Sequence, residues 1–204
     1  MTPQKNIDIE DLKTMINAAI SHLALQLNQQ FKNNFQLAED VVVVSNLVEL
    51  DGSAAANANN KLVLTLVNIE KDNLPYRAQL PHRSNDRQAI HSNPLYLNLY
   101  VMMSANFGAG NYSEALKTIS QAISFFQQQA IFDRQNSPGL DNRIEKLILD
   151  MENLKIPDLN NLWSLMGGRY LPSVLYRIRM ITVDAGAIIG QVPMITDPNQ
   201  NLLG

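Results

Sequence analysis

Alternation along this chain is clearest between residues 95 and 102. Leu95, Leu97, Leu99 and Val101 fall on one face, and Tyr96, Asn98, Tyr100 and Met102 on the other. A period of two over aromatic and aliphatic residues predicts a strand with one apolar and one half-polar face. Pro94 suits its first position, where no ladder donor is needed. Phe107-Gly108-Ala109-Gly110 then makes a turn, and the period changes. Tyr112, Ala115, Leu116, Ile119, Ala122, Ile123 and Phe126 recur at three and four, which predicts an amphipathic helix. Asn111 as N-cap, with Glu114 three residues on, predicts a capping box. Strand and helix each carry an apolar surface to hide, and together they are the expected nucleus of the core.

The same reading extends to both sides. A first helix is expected from about Asp8 to Phe31, with Ile9, Leu12, Met15, Ile16, Ala19, Ile20, Leu23, Leu27 and Phe31 as its stripe. Asp8, Glu10 and Asp11 occupy its first turn, where the helix dipole favours negative charge. Residues 40–50 hold the run Val41-Val42-Val43-Val44, which predicts a strand buried on both faces. Asp51-Gly52 turns the chain, and Lys61 to Glu70 alternates again. The Asp-Gly turn suggests that these two strands pair antiparallel.

Lys71 to Ser92 has no clear period. Two readings stay open for it: a contact arm that orders against a neighbour, or a solvated loop. Asp133 to Asp141 reads as a linker, and Ile144 to Met151 as a short strand, with a helical turn as the other reading. Pro157-Asp158 opens a short helix through Leu159, Leu162, Trp163 and Met166, which Gly167-Gly168 stops. Val174 to Val183 alternates, with Leu175, Arg177 and Arg179 opposing Val174, Tyr176, Ile178 and Met180. The expected fold is α+β: one domain over residues 1–186 with a mixed or mostly antiparallel sheet of about five strands, packed by two long helices and one short helix. Residues 187–204 read as an irregular tail.

Composition narrows the chemistry. The 204 residues can bury a substantial core. A net charge of −3 argues against nucleic acid as a partner. With no cysteine, disulfides, thiol catalysis and thiolate zinc sites are out. Met1 to Asp8 lacks the basic-then-apolar pattern of an export signal, so synthesis in the cytoplasm is expected. No apolar run approaches the roughly 20 residues that span a bilayer, so no membrane insertion is expected. Charged residues are only 17%, and an uncharged polar surface costs less to desolvate in an assembly.

Motifs for catalysis are missing. Gly108-Ala109-Gly110 lies between strand and helix, but it lacks the third glycine of a dinucleotide loop and no Gly-Lys-Ser/Thr follows. There is no His-Glu-x-x-His and no Gly-x-Ser-x-Gly. His22 lies beside the first helix's stripe without a second ligand at four residues' spacing, which reads as a structural histidine. Trp163 and Tyr170 could stack a ligand, but a tryptophan in register with Leu159, Leu162 and Met166 reads as core. Arg177 and Arg179 project from one strand face together, toward solvent or an acidic neighbouring chain. No cofactor or metal is expected, and nothing marks an enzyme.

Three segments carry a resemblance. They are 64–72 (LTLVNIEKD), 93–105 (NPLYLNLYVMMSA) and 162–173 (LWSLMGGRYLPS). Their order and spacing, with the amphipathic helix after the second, resemble the tail-terminator, or cap, subunits of phage-tail-like contractile injection systems of the antifeeding-prophage type. The resemblance runs from roughly Ile9 to Gly186. Where that family has a Pro-Pro or similar pair before the central strand, this chain has Asn93-Pro94. The resemblance implies a structural protein, a homohexameric ring on the end of the inner tube distal to the baseplate, which stops tube growth and engages the last sheath ring. The implied partners are copies of itself, the inner tube protein and the sheath protein, in a particle that is assembled in the cytoplasm and can be released from the cell. No catalytic residue comes with the family. Arg77, Arg83 and Arg87 in the 71–92 segment, with Arg177 and Arg179, are the expected contact residues. Two other classes remain beside it: a small-molecule- or nucleotide-binding α+β domain using the Gly108–Gly110 loop, and an adaptor that binds proteins through its long loop.

Overall fold

Leu97, Leu99, Val101, Met103 and Ala105 need cover on one face of their strand, and Asn98, Met102 and Ser104 are buried on the other. A strand covered on both faces belongs at the centre of a sheet. The computed structural model describes residues 9–35, 38–49, 51–72, 87–91, 95–182 and 188–193. It places this segment, Tyr96–Asn106, centrally.

In chain order the elements are α1 (Ile9–Phe35), β1 (Val42–Val44), β2 (Lys61–Lys71), β3 (Arg87–His91), β4 (Tyr96–Asn106), α2 (Tyr112–Gln128), β5 (Ile131–Asp133), β6 (Ile144–Glu152), α3 (Ile156–Leu165), β7 (Ser173–Thr182) and β8 (Ile188–Pro193). Six strands form one sheet in the order β1-β2-β4-β7-β6-β5, and β3 pairs β8 in a separate two-stranded ribbon. All pairings are antiparallel except β1 with β2. The α+β class and the mixed, mostly antiparallel sheet with two long helices and a short one are as the alternation predicted.

Helices α1 and α2 cover one face. Ala19, Ile20, Leu23, Leu27 and Phe31 of α1 and Ala115, Ile119, Ala122 and Phe126 of α2 join Leu62, Leu64, Leu99, Ile178 and Met180 in a single core. Phe132 of β5 is fully buried there, against Phe125, Phe126 and His22. A smaller cluster lies on the opposite face, where Trp163 of α3 packs with Leu47, Ala55, Ala58 and Val63. Pro157 opens α3, and Gly167 and Gly168, at φ +98° and +71°, close it. Gly167 is required twice over, because a Cβ there would also meet Val48 Cγ1 at 2.8 Å.

Four expectations change. First, β1 runs parallel to β2, with Val42 opposite Leu62. The Asp51-Gly52 turn is used up locally: Gly52 N–H donates to the Glu49 carbonyl at 2.9 Å, and Val48 bridges Ala54. The remaining loop carries the chain back to the end at which β1 began, which a parallel pair requires. Second, β1 is a three-residue edge strand in which Val42 is buried but Val44 is exposed, so the valine run is not buried on both faces. Third, the capping box does not form. Asn111 ends a 3-10 turn at φ −116°, ψ 25° and makes no side-chain cap bond, while Glu114 pairs with Lys117 at 2.7 Å. Fourth, regular structure appears where none was expected: β3 lies in the 71–92 segment, β8 in the tail, and β5 just before the 133–141 linker, ending on its first residue. Asp8, Pro94 and Val183 lie outside the described residues.

A buried amide anchors the edge strand. Asn28 of α1 is buried; its Nδ2 donates to the Val42 carbonyl at 2.8 Å, and its Oδ1 accepts from the N–H groups of Val41 and Val42 at 2.9 and 2.8 Å. Three short bonds thus hold β1 to the helix layer. Asn28→Ala strands all three backbone groups and is expected to cost about 2–4 kcal/mol, from roughly 1–3 kcal/mol per orphaned buried group with partial rescue by water. Urea unfolding of wild type and variant measures it; a loss below about 0.5 kcal/mol, the range of ordinary surface substitutions, would contradict this role.

Candidate functional site

The sheet face opposite α1 and α2 is only half covered. Near the β4 C-terminus, α3 and its cluster close over it. Beyond Met102 the same face turns polar, because β-strand periodicity puts Asn98, Tyr100, Arg177 and Arg179 side by side. The register aligns Glu70, Asn98 and Arg179 in one row, and Asn68, Tyr100, Arg177 and Asp150 in the next. Four strands therefore contribute to one polar surface.

Its charges are largely paired. Arg177 meets Asp150 through Nη2 at 3.3 Å and Glu152 through Nε at 3.1 Å. Arg179 Nε lies 2.7 Å from Asp72 Oδ2. Tyr100 Oη donates to Glu70 Oε2 at 3.1 Å, and Asn68 Nδ2 donates to Glu70 Oε1 at 3.0 Å. Burial first, then the Glu70 carboxylate, raises the Tyr100 hydroxyl above its ordinary value. The arrangement presents carboxylates and amides that can be re-paired across an interface. Arg177 and Arg179 do share a face, as their spacing predicted, but both have acidic partners in their own chain.

The other arginines divide. Arg87 opens β3 opposite Pro193, whereas Arg77 and Arg83 lie outside the described residues. What the sequence missed is the acidic set: Asp72, Asp150 and Glu152 look scattered along the chain, and only strand register brings them to the arginines.

Among the described residues, two of the grooves border the sheet. One, of about 560 Å³, follows the open side of β1 and β2 and is lined by Val44, Asn46, Glu49, Asn57, Leu64 and Leu66. Another, of about 340 Å³, is bordered by Phe31, Phe35, Val41, Phe107, Asn111 and Lys117 between the helix layer and the sheet end. The Gly108–Gly110 loop sits beside it as a 3-10 turn. There the Asn111 N–H is bonded to the Gly108 carbonyl at 2.8 Å and the Gly108 N–H faces Asn60 Oδ1 at 3.4 Å, so two of the amides a phosphate would need are engaged.

Two further candidates read as core. His22 is buried, edge-on to Phe132 at 6.0 Å, and burial holds its imidazole below the ordinary value of 6.5. Trp163 is buried and meets Tyr170 edge-on at 5.7 Å. Among the described residues no group of three or more His, Asp or Glu side chains is placed to hold a metal ion. No helix among them is long and apolar enough to cross a membrane.

Residues 18–197 match the family profile described as the Pvc16 N-terminal domain. No curated protein sequence matches the chain. Two similar structures were solved by cryo-EM. One is the PVC sheath/tube terminator in its extended state, from an extracellular contractile injection system, at 16% identity and TM-score 0.47; the match covers 100% of this chain and 67% of that one. The other is the tube-terminating cap of the anti-feeding prophage, at 13% identity and TM-score 0.47, covering 93% of this chain and 61% of that one.

The two face arginines should differ in weight. The Asp72 side chain is 7% exposed, whereas that of Asp150 is 57% exposed. Arg179→Ala is expected to cost about 1–3 kcal/mol, because it leaves a covered carboxylate short of its cation. Arg177→Ala is expected to stay within about 1 kcal/mol, the range of solvated pairs. Thermal or urea unfolding of both variants checks this, and equal costs would contradict it.

Proposed function

The chain belongs to the family described as the Pvc16 N-terminal domain, and from that membership we propose that it is a structural cap subunit of a contractile injection system. In this reading, copies form a homohexameric ring on the distal end of the inner tube, end its growth and engage the last sheath ring. The partners are other copies, the tube protein and the sheath protein; nucleic acid and membrane play no part. The chain works through its folded surface and catalyses no reaction. Assembly takes place in the cytoplasm, and the finished particle can leave the cell.

One observation carries the proposal. The family match over residues 18–197 takes in all three sequence segments, 64–72, 93–105 and 162–173, that resemble tail terminators. The geometry supports it. A cap must continue the contacts of a finished tube on one side and offer no template on the other. Head-to-tail contacts whose rotation closes give a ring rather than a filament. Here the polar sheet face presents exchangeable ion pairs, and the β3–β8 ribbon supplies a part that can bridge subunits. Arg77, Arg83 and Arg87 of the 71–92 segment make contacts with neighbours, and Arg177 and Arg179 form the floor against which a neighbour's polar groups are set.

Tube length tests this. Particles produced without the chain, imaged by electron microscopy, are expected to show inner tubes of broad, uncontrolled length, and supplying the chain should restore one length. Tubes of normal, uniform length without it would overturn the proposal.

A further inference from the structure

Strand β2 is longer than the partner on its outer side. β1 pairs with it only from Leu62 to Leu64; just beyond, the Ser45 N–H donates to the Leu64 carbonyl at 3.2 Å and the Thr65 hydroxyl donates to the Ser45 carbonyl at 2.7 Å. From Leu66 to Lys71 no described strand pairs with that side. On the other side the ladder to β4 continues, and its phase is known: the Asp72 N–H donates to the Tyr96 carbonyl at 3.0 Å. Alternation then turns the backbone groups of Asn68 and Glu70 toward β4 and those of Ile69 and Lys71 outward. Ile69 is 43% exposed and Val44, at the end of β1, is 38% exposed. No proline guards this edge, and its last residue, Lys71, is the one cation on it. Such an edge is a template for another strand.

The molecule also carries an unplaced strand. β3 and β8 pair with each other, and neither joins the six-stranded sheet. An isolated two-stranded ribbon is marginal in water and gains by joining a sheet. Its two outer edges are not equal. β8 contains Gly190 and Pro193 and skips Ile189 in its register with β3, whereas β3, Arg87-Gln88-Ala89-Ile90-His91, has no proline and no glycine. Proline and glycine weaken a pairing edge, so β3 is the better donor. Charge is compatible: the two ribbon strands hold Arg87 and no carboxylate, and Glu49 lines the groove beside β1.

We infer that the outer edge of β2, over Leu66–Lys71, receives strand β3 from a second copy of this chain. The sheet of one subunit would then continue into the ribbon of the next. Among the described residues β3 pairs only with β8 and no strand pairs the outer edge of β2 beyond β1, which leaves both edges for a contact between copies. Donor and acceptor are different surfaces, so the contact is head-to-tail and propagates around a ring. The inference names the contact between copies within the cap reading, on which it rests only for the ring.

Because the chain has no cysteine, crosslinking can test this without background. One set of full-length chains carries Asn68→Cys, Ile69→Cys or Glu70→Cys, and a second set carries Gln88→Cys, Ala89→Cys or Ile90→Cys. Each pair is mixed at high concentration, oxidised, and run on a non-reducing gel; only contacts between chains can give a covalent dimer. Facing residues of paired strands have Cβ atoms about 4.5–5.5 Å apart, within reach of a disulfide. Bridging is expected about tenfold or more above that of pairs using Ser120→Cys on the exposed side of α2, because held neighbours react at effective concentrations well above those of free chains. Along β3 it should alternate with a period of two. Adding Ile69→Pro, which removes an outward N–H, to the Glu70→Cys chain is expected to abolish bridging, with an unchanged far-ultraviolet circular dichroism spectrum; if that variant unfolds, the mixed pairs alone decide. Bridging no better than the Ser120→Cys pairs, a chain that stays monomeric, or bridging seen only within doubly substituted chains overturns the inference. Loss of tube-length control without bridging would leave the cap reading standing and this contact wrong. Bridging with normal tubes would do the reverse.

Discussion

Strand β4 is the constraint on which the rest depends. Its backbone is bonded on both sides, to β2 and β7, and its side chains are covered on both faces. A strand in that position leaves no backbone group for water, so its neighbours must hold register along its whole length. The five apolar side chains from Leu97 to Ala105 draw α1 and α2 to one face. On the other face Ser104 and Met102 lie at the end that α3 closes, and Asn98 and Tyr100 lie at the end left polar. The split of one sheet face into a covered end and a polar end is therefore written into alternate residues of a single strand.

That split separates the part of the sheet that carries stability from the part that the proposed assembly would use. The helix side buries the phenylalanine cluster around Phe132, where association has nothing to add. The polar end holds Arg177, Asp150 and Glu152 in solvated or half-solvated pairs, which contribute little to folding and can be rearranged at low cost, whereas the covered Arg179–Asp72 pair is held in place. The open length of β2 follows from the same layout. β1, anchored to α1 by Asn28, ends at Val44, while β2 continues to Lys71. An edge left unpaired is a liability in a free monomer and a resource in an assembling subunit.

Much of this was legible in the residues. The change of period between Val101 and Tyr112 identified β4 and α2, and Pro157 with Gly167-Gly168 bounded α3. Failures came where tertiary context outweighed local pattern. The Val41–Val44 run carries the propensity of a central strand, but the chain enters it from α1, and only three residues pair. The Asp51-Gly52 turn suggests antiparallel pairing of β1 and β2, but it closes a smaller turn inside their crossover. Asn111 has the right residue type for a cap, yet the preceding 3-10 turn rotates it out of the extended conformation that capping needs. β3 and β8 are short, lack alternation and find each other across about a hundred residues, a separation that no local signal reports. The pairing of Arg177 and Arg179 was visible, but their acidic partners were not, because cross-strand register is not a property of any one segment.

The central claim is that this chain closes a tube by joining copies of itself into one ring at its end. A focused cryo-EM reconstruction of the terminal region of intact particles tests it most directly. The account predicts a single ring at the distal tube end into which six copies of this fold can be built, with the polar sheet face turned toward a neighbouring subunit. Copies distributed along the tube or the sheath, or a distal end that carries none, would contradict it.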